Sequence, residues 1–144
     1  MHNYILFIGL MAAFMFFLID KNLLPGTLIA KKQILERLAS NKQRDVELRT
    51  AFENLVAFNS AWSLIAFPDS DVTYAEYIDL LNEKASMEYA DLEFENLRSR
   101  RLNRRETADY LEKIKGQEDA LQALQADLNF QNKQFRQVTL LSAS

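Results

Sequence analysis

The sequence predicts an all-α fold: a single N-terminal transmembrane helix followed by an antiparallel helical hairpin or three-helix bundle. Three observations carry that prediction. Residues Tyr4 to Ile19, YILFIGLMAAFMFFLI, form an uninterrupted apolar run that closes on Asp20 and Lys21. Glycine and proline are scarce, at 3 and 2 in 144 residues, whereas sheets consume such residues in their many turns. Downstream of the run, apolar residues recur at three- and four-residue spacing, the signature of one helix face.

The anchor is expected over residues 1–24. An apolar run of this length makes about 24 Å of helix, short of a hydrocarbon core of roughly 30 Å. Met1, the stem of Lys21 and the pair Leu23 and Leu24 extend it, and Pro25-Gly26 supplies a stop. A cleaved signal peptide would want a basic start and a small-x-small cleavage site, and neither is present. A buried helix of a globular protein would carry a polar stripe, which is also missing. Gly9 and Ala13 are spaced for close packing against another membrane helix. No Lys or Arg precedes the run, whereas Lys21, Lys31, Lys32 and Arg37 follow it. That bias predicts a short outside N-terminus and a body on the cytoplasmic side, or the matrix or stromal side of an organelle.

A first amphipathic helix is expected over residues 25–68, with Thr27 as N-cap and its end near Phe67. Ile34, Leu38, Asn41, Asp45, Leu48, Phe52, Leu55, Asn59, Trp62 and Ala66 alternate three- and four-residue steps, a heptad seam with polar insertions. Leu35, Val46, Val56 and Ile65 widen it, which points to a bundle and not a two-stranded coiled coil. Pro68 then breaks the chain, and residues 69–72 form a turn. Phe58, Trp62, Phe67, Tyr74 and Tyr77 flank this turn and are expected to close the hairpin tip as a small aromatic core, or to anchor a partner there.

The returning limb spans residues 73–139. It opens on Thr73-Tyr74-Ala75-Glu76, the pattern of a capping box. Ile78, Leu81, Ala85, Tyr89 and Leu92 form its first stripe, and Leu111, Ile114, Leu121, Leu124, Leu128, Gln131, Phe135 and Val138 a later one. Unbroken, the limb would reach about 100 Å, too long to lie beside the first helix. A break near residues 98–106 is therefore expected. Gly116 marks a kink or close contact, and residues 140–144 a frayed tail.

Charge is segregated along this limb. Asp69, Asp71, Glu76, Asp79, Glu83, Glu88, Asp91, Glu93 and Glu95 precede Arg98, Arg100, Arg101, Arg104 and Arg105. The acidic face is expected to be solvated, since it lacks the glycine-bearing loop that wraps calcium. The arginines are expected to be neutralised by the acidic helix across a bend. Docking to anionic lipid headgroups or an acidic partner is the alternative. Nucleic acid is not an expected partner, because net charge is −3 and no aromatics interleave with the arginines.

Catalytic chemistry finds little material here. Cysteine is absent and the lone histidine is His2, so no histidine triad, HExxH zinc site or thiolate site can be assembled. No cofactor and no small-molecule substrate are expected. The expected function is that of an accessory or scaffold subunit of a membrane complex, with lipids and other subunits, or further copies of itself, as partners. A regulator in which the arginines and acidic helix form a charge latch is one alternative.

A mechanical linker is another. A short outside N-terminus, one span, Pro25 just past the membrane and the Lys31-Lys32-Gln33-Ile34 run resemble the b-type peripheral-stalk subunit of rotary ATP synthases over about forty residues. The Pro68 turn and the lack of a continuous Ala-rich stalk depart from that pattern. With the opposite orientation the layout resembles an inner-membrane phage spanin, although basic residues ahead of the run are missing.

Overall fold

A computed structural model describes residues 25–142, and they form four helices: α1 (Pro25–Phe58), α2 (Tyr74–Glu88), α3 (Asp91–Ser99) and α4 (Arg104–Ser142). The all-α expectation holds for this body, which is a helical bundle. The expected anchor, with Gly9 and Ala13, lies outside the described residues. Among the described residues no helix is long and apolar enough to cross a membrane.

α1 is the spine against which the other three helices pack. α2 and α3 run back along it: Phe52 meets Tyr74 and Tyr77, and further down Ile34 meets Leu97. α4 then climbs parallel to α1, with Ile114 beside Ile34, and Leu121 and Leu124 in the same cluster as Leu48, Phe52 and Val56. The bundle thus has a base, where α1 starts and α3 turns into α4, and a tip, where α1 ends.

The core has two apolar parts. Leu48, Phe52, Val56, Ala61, Ala66, Tyr74, Ile78, Leu121 and Leu124 fill the upper part, and Ile34, Leu97, Leu102 and Ile114 fill the base. Between them Asn41, Asp45 and Gln117 are buried. Asn41 Nδ2 donates to Gln117 Oε1 at 3.2 Å, and Gln117 Nε2 donates to Glu88 Oε1 at 3.0 Å. Arg49 Nε donates to Asp45 Oδ2 at 2.7 Å, and Arg49 also bonds Asn82 Oδ1 at 2.5 Å. No buried side-chain polar atom among the described residues lacks a partner. Because these groups bond only in one alignment of α1, α2 and α4, the layer fixes register where apolar residues alone would allow slippage.

Several boundaries differ from the sequence expectation, each for a local reason. α1 ends at Phe58, short of Phe67. Asn59 Nδ2 donates to the Leu55 carbonyl at 2.8 Å, and Ser60 adopts a left-handed φ of 51°. Backbone bonds from Ser60 to Ala57 and from Ala61 to Val56 then close the helix end. Thr27 lies within α1 and so is not its N-cap.

Residues 59–73 are therefore an ordered loop and not the expected four-residue turn at 69–72. Ala66 N–H bonds Val72 O at 2.9 Å, Tyr74 N–H bonds Leu64 O at 2.9 Å, and Ala75 N–H bonds Trp62 O at 3.0 Å. Ser70 N–H bonds Phe67 O at 3.1 Å, spanning Pro68 at the apex. α2 starts with the Thr73 capping box: Glu76 N–H donates to Thr73 Oγ1 and Thr73 N–H to Glu76 Oε2. The Thr73 N–H, followed by the Thr73 hydroxyl, donates to the Glu76 carboxyl and holds it below the usual carboxylate range.

The return limb breaks twice. One break, at Tyr89 and Ala90, rotates the stripe, so that Leu92 is exposed while Leu97 is buried. The second spans residues 100–103, where Asn103 caps α4: Glu106 N–H donates to its Oδ1 at 2.8 Å and Asn103 N–H to Glu106 Oε2 at 2.9 Å. α4 continues to Ser142, so residues 140–142 extend the helix where a frayed tail was expected.

Gly116 neither kinks α4 nor receives a close neighbour. It sits within one continuous helix, and an added Cβ would meet nothing within 4 Å. Gly116→Ala is therefore expected to stabilise the bundle by about 0.5–1 kcal/mol, the helix-propensity difference alone. A thermal melt of the full chain in mild detergent checks this, and a lowered midpoint would contradict it.

Candidate interaction surfaces

Two regions of the surface stand out from the solvated helix faces. At the base lies the arginine-rich segment. Lys31 at the start of α1 donates through Nζ to the carbonyls of Arg98 at 2.9 Å and Arg100 at 2.5 Å. Leu97 and Leu102, on either side, are buried against Ile34 and Ile114. The Lys31 ammonium and an apolar plug thus pin the α3–α4 linker to the N-terminal end of α1.

The side chains of this segment point to solvent. Arg98 approaches Glu95 at 4.0 Å, one turn away on α3, and Arg100 approaches Glu106 at 2.9 Å. Arg101, Arg104 and Arg105 are exposed and have no ion-pair or hydrogen-bond partner among the described residues. Beyond the Arg98–Glu95 contact the expected neutralisation by the acidic helix does not occur, and two of its acids face other cations. Asp91 pairs with Lys42, and Glu93 pairs with Lys113 at 2.7 Å. A charge latch between the two stretches therefore has only the exposed Arg98–Glu95 contact to draw on, and such contacts contribute little.

At the tip, the aromatic residues divide into two sets. Phe67 and Tyr77 stack edge-on at 5.0 Å between centroids, Tyr77 meets Phe52 at 5.3 Å, and Tyr74 meets Phe135 at 5.5 Å. These rings close the tip. Phe58 and Trp62 do not join them: Phe58 is 90% exposed and Trp62 42%. They belonged to the expected aromatic core, and the early end of α1 turns them outward instead. Leu64 and Ile65, on the same loop as Trp62, are also exposed, as is Phe130 on α4. Beside Phe58 runs a groove lined by Ala51, Asn54, Leu55, Leu128, Asn129 and Asn132.

The loop carrying these apolar groups is held firmly. Besides its backbone bonds, Gln131 of α4 receives the Tyr74 hydroxyl proton and donates Nε2 to the Ala66 carbonyl. Gln131 is only 2% exposed. Sequence reading placed Phe58 and Trp62 in a group that closes the tip or anchors a partner, but missed Leu64 and Ile65, because helical spacing cannot register the left-handed Ser60 that ends the seam. Trp62 is at this surface, Tyr74 and Tyr77 are beneath it, and the five arginines are at the other end of the bundle.

Two tyrosines give the fold an alkaline limit. Burial, followed by the nearby Asp127, pushes Tyr77 up to about 12, and burial, followed by Asp45 and Glu88, pushes Tyr89 up to about 12. The folded state holds these protons more tightly than an unfolded chain, whose tyrosines titrate near 10. Their contribution is intact below pH ~10 and is lost as pH rises through about 12. Circular dichroism across an alkaline titration is expected to show unfolding in that window, and Tyr77→Phe to move it upward.

Among the described residues no group of His, Asp or Glu side chains is arranged to hold a metal ion. No protein-family model, curated protein or solved structure matches the chain.

Proposed function

We propose that this chain is a membrane-anchored scaffold or accessory subunit that presents its rigid apolar tip to a protein partner. The reading is supported by one observation above others: Phe58 at the end of α1, and Trp62, Leu64 and Ile65 on the hydrogen-bonded loop that follows it, are all exposed. Exposed aromatic anchors held in one conformation lose little entropy on binding, which is what an interface centre needs. The run Tyr4–Ile19 supplies the anchor, and α1, 34 residues long, sets the tip about 50 Å from its own start. The partner surface this tip fits is an apolar pocket with a polar rim. The fold-back of α2 and α3 onto α1 favours a compact scaffold over an extended linker of the stalk or spanin kind.

Gentle detergent extraction followed by mass photometry tests the reading. The native chain is expected in a complex larger than one copy, and Phe58→Ser with Trp62→Ser is expected to release it as a monomer. A monomeric native chain would overturn the proposal. Both substituted positions are exposed, so circular dichroism and melting midpoint should hardly change.

A further inference from the structure

We propose that the arginine linker is a docking face for anionic phospholipid headgroups, which sets the bundle's base against the bilayer. This rests on the anchor reading of Tyr4–Ile19 and goes beyond it, because an anchor alone leaves the body free to swing. Topology is the first argument. Lys31 ties the linker to α1 only twelve residues after Ile19. The six steps from Pro25 to Lys31 are helical and rise about 9 Å. The six from Ile19 to Pro25 span at most about 20 Å. The arginines therefore stay close to the interface at any tilt of the body, whereas nothing in the tether holds the tip there.

Charge is the second argument. The chain carries a net charge of −3, so most of its surface is repelled by anionic lipid. Only a segregated basic face can approach. Arg101, Arg104 and Arg105 provide one, exposed and without intramolecular partners among the described residues. Lys31 and Lys32 lie on the adjacent turn of α1, with Lys32 in a loose 3.8 Å contact with Glu36.

Local electrostatics is the third. Arg104 and Arg105 are the first two residues of α4, where the positive end of the helix dipole disfavours cations. The fold thus holds like charges together, with Glu106 engaged by the Asn103 cap and by Arg100. An external layer of phosphate relieves that repulsion; guanidinium groups bind phosphate oxygens through paired N–H donors. An acidic protein would offer the same charge, but the tether makes lipid the anion at hand.

The natural chain has no cysteine, so single reporters are readily placed. The full chain, carrying a fluorophore at Ser99→Cys or, at the tip, Ser63→Cys, is reconstituted into two kinds of vesicle. One is phosphatidylcholine and the other phosphatidylcholine mixed with phosphatidylglycerol, both doped with a headgroup spin-label quencher. Alkaline carbonate washing comes first. A chain released by the wash refutes the anchor and this inference together, whereas a retained chain puts the inference alone at stake. The expected result is stronger quenching at Ser99→Cys with phosphatidylglycerol, reversed by high salt, and none at Ser63→Cys. Each arginine removed should lower the docked-to-free ratio about five-fold. Arg101→Gln, Arg104→Gln and Arg105→Gln combined should therefore abolish the difference, with helicity by circular dichroism unchanged. Equal quenching in the two vesicles, or a difference that survives the triple substitution or binding an acidic peptide in place of lipid, overturns it.

Discussion

Phe52→Ala is expected to lower the stability of the bundle by about 3–5 kcal/mol, a large fraction of the 5–15 kcal/mol typical of folded domains. Phe52 is fully buried, and it is the side chain that α2, through Tyr74 and Tyr77, closes upon. Deleting its ring removes apolar area from the interior and leaves a void. Neither α1 nor α2 can collapse into that void, because the Arg49, Asn82 and Glu53 bonds hold the two helices in register beside it. The tilted ring contacts at 5.3 and 6.3 Å are lost as well. Thermal melting of the full chain in mild detergent, followed by the near-ultraviolet signal of the tyrosines, should fall by roughly 10–20 °C. A drop of less than about 1 kcal/mol, the range of a surface substitution, would mean that α2 does not rest on Phe52 as described.

The position of Phe52 was readable from sequence and its consequences were not. Ile34, Leu48, Phe52 and Val56 sit where heptad spacing places buried residues, and Asn41 and Asp45 fall in the same seam and are buried. Spacing alone also carried the seam on through Asn59 and Trp62. The chain stops it there through two features invisible to periodicity: the Asn59 side chain competes for the Leu55 carbonyl, and Ser60 turns left-handed. The capping box at Thr73 was legible because its chemistry is local. The surroundings of the arginines were not. Proximity in sequence favoured the acidic helix as their neighbour, but the fold brings Lys31 to the linker backbone and sends the acids to Lys42 and Lys113.

Gln131→Ala is expected to cost about 2–5 kcal/mol, and to do so at one end of the molecule. Gln131 links three elements that are remote in sequence: its Oε1 accepts the Tyr74 hydroxyl proton and its Nε2 reaches the Ala66 carbonyl at 2.6 Å. Alanine would leave both the hydroxyl and the carbonyl buried without partners, at about 1–3 kcal/mol each, plus the packing of the lost side chain. Adding Tyr74→Phe removes one of those orphans, so the double variant should recover part of the loss, with a coupling of about 0.5–3 kcal/mol in a mutant cycle. The remaining damage falls on the 59–73 loop, whose other hydrogen bonds are local. Amide exchange at Ala66 and Tyr74 should accelerate well before exchange at Ile34 or Ile114, because the basal cluster shares no contact with Gln131. Uniform acceleration along the bundle would instead show that the tip is not an independently held platform. The comparison also bears on binding: if Phe58 and Trp62 serve as anchors, loosening the loop through Gln131 should weaken the complex without touching either side chain. The loss would come from the entropy of re-ordering the loop on association.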